Sequence, residues 1–199
     1  DALESQSIYI LREAHSRIAR LAMLWSLGKD SNVMLWLARK PFFGHVPFPV
    51  MHVDTEKKFP EMYDFRTRYA EEWNLKLTVR TCPPVEEMDP TLPPAARSAA
   101  RKTAGLNSLI AEQELTGVIA GIRRDEEGTR AKERVFSFRD KNHVWDPKNQ
   151  RPELWNIYNG KINRGESIRV FPLSNWTELD IWQYIYLNNI DSVQIGQAS

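Results

Sequence analysis

The chain has 199 residues, 42% of them hydrophobic and 27% charged, with 27 basic against 26 acidic side chains and a formal net charge of +1. That balance excludes a molecule that holds nucleic acid by bulk charge, so any anion site has to be built locally. No apolar run approaches the ~20 residues of a membrane span, no secretory signal is visible, and a single cysteine, Cys82, allows neither an internal disulfide nor a multi-cysteine metal site, so a cytoplasmic, membrane-free protein is expected.

Residues 4–20 read as an amphipathic helix, with Ile8, Leu11, His15 and Ile18 spaced three and four apart. Residues 21–25 form an apolar run too short for a helix and are expected as a buried strand, followed by a glycine-containing turn. Residues 31–40 carry a helical stripe (Val33, Met34, Leu37, Ala38) that Pro41 stops. A second buried strand is expected over 48–53, ending at Asp54-Thr55. Pro60 suits the first turn of a helix running to about Trp73. Alternation predicts a third strand over 75–80, a proline-rich loop over 82–97, and a helix over 101–114. Strands over 117–122 and 168–173 follow, and a last helix over 177–188 is capped by Asn175 or Thr177. Strand and helix alternate, which predicts an α/β fold: a mostly parallel five-stranded sheet with helices on both faces. The expected division is an N-terminal helix over 1–20, a nucleotide-binding domain over 21–190 and a tail over 191–199.

Ligands of such sheets bind beyond the carboxyl ends of the strands. Three polar turns fall there: 26–31, 54–58 and 123–134. The first reads Ser26-Leu27-Gly28-Lys29-Asp30-Ser31. A helix start offers unpaired N–H groups and partial positive charge to an anion; Gly28 lets backbone approach a phosphate, Lys29 adds a mobile charge, and the serines add donors. It is not a Walker A loop, since nothing in the chain matches G-x-x-x-x-G-K-[ST]. From the residues alone, a plain turn capped by Asp30 or Ser31 remains the alternative.

Asp54 closes the second strand after His52-Val53. It suits a ribose hydroxyl, Mg²⁺ or, equally, a helix cap. Lys57 reads as solvated charge. The stretch GIRRDEEGTRAKER, residues 121–134, packs Arg123, Arg124, Arg130, Lys132 and Arg134 among acids. Arginine forks bind tetrahedral oxyanions in bidentate fashion; an exposed, salt-bridged segment is the other interpretation. Residues 145–159 are expected as ordered loop, 174–178 as a structural helix entry, and Cys82 as an inert buried thiol.

The 26–31 loop resembles the S-G-G-K-D-S motif of the N-type ATP pyrophosphatase group, with Leu27 in place of the first glycine, a substitution typical of its sulfate-activating branch. With FPVMHVDT, KFPEMYDFR, RRDEEGTRAKER, WDPKNQRPELWN and RVFPLSNWTELDIWQYI in this order, most of residues 20–190 resembles the small, ATP-splitting subunit family of bacterial sulfate adenylyltransferases. The resemblance implies an adenine nucleotide alpha hydrolase-like fold. It implies adenylyl transfer from ATP to sulfate, giving adenylyl sulfate and pyrophosphate, with a larger GTPase subunit supplying GTP hydrolysis as the drive. It implies ATP contacts from Ser26, Leu27, Gly28, Lys29, Asp30, Ser31, His52, Asp54 and Gly121. Lys29, Arg123, Arg124 and Arg130 would carry the chemistry, and Mg²⁺ would be held by Asp30 and Asp54. Sulfate is already ionised, so no catalytic base is expected. The family continues past the last helix, so its C-terminal region is expected to be absent. The alternatives are an adenylyl-sulfate or phosphoadenylyl-sulfate reductase, which needs a nucleophilic cysteine; an inactive nucleotide-binding assembly subunit; and another ligase of the pyrophosphatase group.

Overall fold

The computed structural model describes residues 1–153, 155 and 157–191; of the expected tail, residues 192–199 lie outside the described residues. In chain order the elements are α1 (Ala2–Arg17), β1 (Leu21–Leu24), α2 (Lys29–Arg39), β2 (Val50–Asp54), α3 (Pro60–Glu72), β3 (Leu77–Thr81), α4 (Pro94–Glu112), β4 (Gly117–Ile119), β5 (Phe136–Arg139), β6 (Ser167–Val170) and α5 (Glu178–Asn188). The strands form one sheet in the order β3-β2-β1-β4-β6-β5. All pairings are parallel except β5 with β6.

The α/β class, the parallel sheet and the helices on both faces are as the sequence predicts. The strand count is corrected from five to six. The extra strand, Phe136-Ser137-Phe138-Arg139, sits at the end of the basic stretch and pairs antiparallel with Ser167–Val170. Its phenylalanines face the main core while Ser137 and Arg139 turn to Glu133, Ser137 Oγ donating at 3.1 Å. With four residues and a polar second face it leaves no apolar run. α2 starts two residues earlier than expected and α4 seven, because Pro94 takes a first-turn position, where its missing N–H has no partner to lose.

The main core lies on one face, where α1, α2, α3 and α5 bury residues such as Ile10, Leu11, Met34, Leu37, Phe65 and Ile181 against Met23, Val50, Ile119 and Ile168. On the other face Leu109, Ile110 and Leu115 pack on Ala22, Met51 and Val118. Each of the larger apolar side chains among these contributes roughly 1.5–3 kcal/mol on burial. Thr177 caps α5 in a reciprocal box with Asp180. α1 is stapled to the segment before α5: Ser7 Oγ donates to the Pro172 carbonyl at 2.7 Å and accepts from Trp176 Nε1 at 2.9 Å. Among the described residues no helix is long and apolar enough to cross a membrane.

Alternation along β2 sends His52 into the main-core face, where it is fully buried. Its Nδ1 lies 2.8 Å from the Trp25 carbonyl, which only accepts, so Nδ1 carries the proton and Nε2 is bare. Nε2 has no hydrogen-bond partner among the described residues. Burial holds the imidazole neutral and pushes its pKa down from 6.5 to about 4, despite the carbonyl bond. A folded-state value below the unfolded one means that this neutral histidine stabilises fully above pH ~6.5 and loses that contribution as pH falls toward 4. Between pH 7 and 5 the chain should lose about 2 kcal/mol from this group. Urea unfolding at both pH values checks this, and His52→Gln should flatten the slope.

Candidate functional site

The strand order runs outward in opposite directions from β1 and β4, so the switch point of the sheet lies between them. The loop leaving β1 enters α2 there, and the residues after β4 face it. Gly121 makes this approach possible: a Cβ on it would sit 3.2 Å from the Ser31 amide nitrogen and 3.3 Å from the Asp30 carbonyl carbon, backbone atoms that cannot give way.

Within the loop, Ser26 Oγ donates to Ser31 Oγ at 3.0 Å, and Ser31 Oγ donates to the Gly28 carbonyl at 2.9 Å. Gly28 caps α2 with an ordinary φ of −75°, and a Cβ on it would meet only Ser26 Oγ, at 3.4 Å. Neither backbone nor packing therefore demands glycine; the bare position leaves the outer face of the turn open to a ligand. Leu27 is different. Its φ is +67°, left-handed backbone that favours glycine, yet its side chain is 2% exposed in the main core. Burial offsets the strain. Ordinarily Gly is worse than Ala by up to about 1 kcal/mol; here the order should invert, with Leu27→Ala less stable than Leu27→Gly by about 1 kcal/mol. Paired urea melts decide it.

Lys29 Nζ lies 3.3 Å from Asp30 Oδ2 and 3.1 Å from Glu178 Oε1. Lys58 comes from the turn after β2, and its Nζ donates to the Ser26 carbonyl at 2.9 Å. Burial lowers the Lys58 pKa, with Asp54 opposing. Neither Lys58 nor Glu178 stands out in the sequence: one sits beside a lysine that reads as solvated charge, the other in what reads as a helix entry. Only the convergence of strand ends shows them.

The arginines separate. Arg123, its side chain 4% exposed, is a buried strut: Nε donates to Asp125 Oδ1 at 2.8 Å, Nη2 to Glu178 Oε2 at 2.6 Å, and Nη1 to Asp30. Burial alone would lower its pKa, but Asp125 and Asp30 raise it. Arg124 points elsewhere. Nη1 donates to Asn175 Oδ1 at 2.5 Å and Nε to the Glu133 carbonyl at 3.1 Å, on the wall of a cavity of about 570 Å³ that Lys132, Arg134, Glu153 and Tyr158 also line. Arg130 lies 3.8 Å from Glu126 and 3.9 Å from Glu127, partly exposed.

At the end of β2, Asp54 Oδ1 accepts from the Glu56 amide at 2.8 Å and from Tyr63 at 3.0 Å, and Oδ2 faces Arg66 at 3.5 Å. Burial would raise its pKa, but the Glu56 and Tyr63 hydrogen bonds and Arg66 hold it below the usual value. His52 is adjacent, with its ring sealed in the core. Asp30 and Asp54 are thus each engaged by cations of the chain, and no group of three or more His, Cys, Asp or Glu side chains is disposed for a metal among the described residues. They do not build a cage for Mg²⁺.

Comparison with known proteins matches the phosphoadenosine phosphosulfate reductase domain to residues 20–198. The chain belongs to that family. Curated relatives carry the name sulfate adenylyltransferase subunit 2: from Zymomonas mobilis, 57% identical over 99% of this chain and 67% of the relative; from Aliivibrio fischeri, 54% identical over 97% and 65%; and from Pseudomonas fluorescens, 57% identical over 99% and 66%. The chain therefore spans about two thirds of the length of the relatives it matches. Among solved structures, phosphoadenylyl-sulfate reductase from Candida auris superposes with a TM-score of 0.63 at 17% identity, over 94% of this chain and 81% of that one. FMN adenylyltransferase from Candida glabrata superposes with a TM-score of 0.60 at 15% identity, over 92% and 54%. These two share the fold.

Proposed function

We propose that the chain transfers the adenylyl group of ATP to sulfate, releasing pyrophosphate, as the name of its relatives suggests. The observation that carries this is the turn 26–31, an open glycine beside Lys29 on a helix N-terminus at the switch point of the sheet, in a chain 57% identical to one named sulfate adenylyltransferase subunit 2. A sulfate oxygen attacks the α-phosphorus in line, and the bond from that phosphorus to the oxygen bridging the α- and β-phosphates breaks. Both electrons leave with pyrophosphate. No proton moves, so positioning and charge neutralisation carry the catalysis. The first-turn amides of α2, Lys29, Ser26 and Ser31 receive the departing pyrophosphate, and Lys58 fixes the loop through the Ser26 carbonyl. The adenosine lies along the ends of β2 and β4, against the backbone at His52, Asp54 and Gly121. Residues 21–190 act as the nucleotide-binding domain.

Arg124 is the arginine placed at a basic cavity, and we assign sulfate to it; Arg123 orders the loop, and Arg130 lies at the rim. A sulfate–phosphate anhydride is less stable than the bond it replaces, so a larger GTPase partner supplies the drive, and the cytoplasm suits a chain with one buried thiol. A reductase needs a reactive cysteine. Cys82 is 3% exposed behind Gly105, and burial pushes its pKa up, which makes it a poor nucleophile.

The test is sulfate-dependent release of pyrophosphate from ATP, with and without the GTPase subunit and GTP. Release that ignores sulfate defeats the proposal. Arg124→Ala should raise half-saturating sulfate by roughly 10–100-fold, the effect of losing a hydrogen bond to a charged group, with ATP binding unchanged; unaltered sulfate saturation removes Arg124 from that role.

A further inference from the structure

The phosphate loop carries more negative than positive charge. Lys29 and Arg123 bring two cations, and within salt-bridge distance of them stand Asp30, Asp125, Glu126 and Glu178. A polyphosphate that enters such a cluster competes with the carboxylates for these cations. Three of the four are held elsewhere: Glu126 lies 3.9 Å from Arg123 Nη1, accepts from the Arg123 amide and is shared with Arg130. Asp30 belongs to the first turn of α2 and is bound to Arg123. Asp125 accepts from Arg123 Nε at 2.8 Å and from the Glu178 amide at 2.8 Å, closing the start of α5. Glu178 is half-exposed, and its two oxygens have separate duties. Oε2 takes Arg123 Nη2 at 2.6 Å, while Oε1 takes Lys29 Nζ at 3.1 Å and Trp182 Nε1 at 3.0 Å. Trp182 can hold Oε1 after the lysine leaves.

We propose that Glu178 is the internal counter-anion of the phosphate loop, holding Lys29 when no nucleotide is bound and ceding it to the pyrophosphate portion of the substrate, an inference that rests on the assignment of the 26–31 turn to pyrophosphate. Glu178 stays on Arg123 throughout, so the loop keeps its brace while Lys29 changes partner. When pyrophosphate is made, the carboxylate competes for the same ammonium and favours departure. Glu178 is thus a positioning residue: it acts through Lys29 and sets how tightly the loop retains its anion.

The experiment is calorimetric titration of inorganic pyrophosphate into the wild-type chain, Glu178→Gln and Glu178→Asp, at low and high salt. Glutamine keeps the shape and removes the charge. Glu178→Gln should bind pyrophosphate about five- to tenfold more tightly at low ionic strength, and the gain should shrink below about twofold at 0.5 M salt. Glu178→Asp keeps the charge and should stay within about twofold of wild type. In turnover, Glu178→Gln should lower KM for ATP and kcat together, because product leaves more slowly. A mere support for α5 would lower the melting temperature without tightening binding. Equal or weaker binding by Glu178→Gln at low salt, with wild type binding normally, overturns the counter-anion role alone. Failure of the wild-type chain to bind pyrophosphate overturns both this role and the assignment of the loop.

Discussion

Lys29→Ala should cost roughly 10²–10³-fold in sulfate-dependent pyrophosphate release, the range found when a pre-positioned donor to developing charge is removed. The fold should scarcely register the change. The Lys29 side chain is 27% exposed, and its partners are Asp30 at 3.3 Å, Glu178 at 3.1 Å and the Trp182 ring at 5.9 Å. Exposed pairs of this kind contribute about 0–1 kcal/mol, which moves the melting point of a domain this size by no more than about 4 °C. A calorimetric melt and a steady-state assay on one preparation decide the matter. Parallel loss of both would make Lys29 a structural residue.

Arg123→Ala should produce the opposite profile. Its guanidinium is buried and answers Asp30, Asp125 and Glu178 at close range, with Glu126 at 3.9 Å. Removing it leaves these carboxylates with Lys29 as the remaining cation on Asp30 and Glu178. Breaking a buried ion pair costs about 3–5 kcal/mol; with partners partly open to solvent, about 3 kcal/mol is expected, measurable by urea unfolding and equivalent to a fall of roughly 6–12 °C in melting temperature. Arg123→Lys should restore little, since one ammonium does not span three acceptors as a fork does. The deficit should also depend on pH. Burial would raise the Glu178 pKa, but Lys29 hydrogen-bonds to it and holds it below 4.5, so its stabilising pairing exists above that value and is lost as pH falls through the folded-state value. The variant has less of that pairing to lose, and its gap to wild type should narrow below about pH 4.5. A variant as stable as wild type would mark Arg123 as a ligand contact with no structural duty.

The two arginines illustrate what sequence patterning resolves here. The density of basic residues after β4 was legible. Which way each one points was not, because Arg123 lies in irregular chain and Arg124 in the turn that follows it, where hydrophobic periodicity does not fix the direction of a side chain. Apolar runs such as Leu21–Leu24 reveal buried parallel strands directly, since both faces are covered. β5 escaped because its second face is polar and the strand it pairs with follows some thirty residues later. The left-handed Leu27 was visible only as a departure from a glycine-rich pattern; its conformation and burial are properties of the folded turn. Lys58 and Glu178 lack any local signature, since their significance depends on the ends of β1, β2 and β4 meeting the start of α5.

The antiparallel edge also has a consequence in time. β5 leaves the ribosome before β6, the one strand with which it pairs among the described residues. At 5–20 residues per second, the gap between them lasts a few seconds. For that interval Phe136 and Phe138 lack their β-sheet partner, on a nascent chain whose earlier strands can already associate. The newborn protein is then most exposed to sticking to another copy of itself, so yield during fast overexpression should be more sensitive to this stretch than the stability of the finished fold implies.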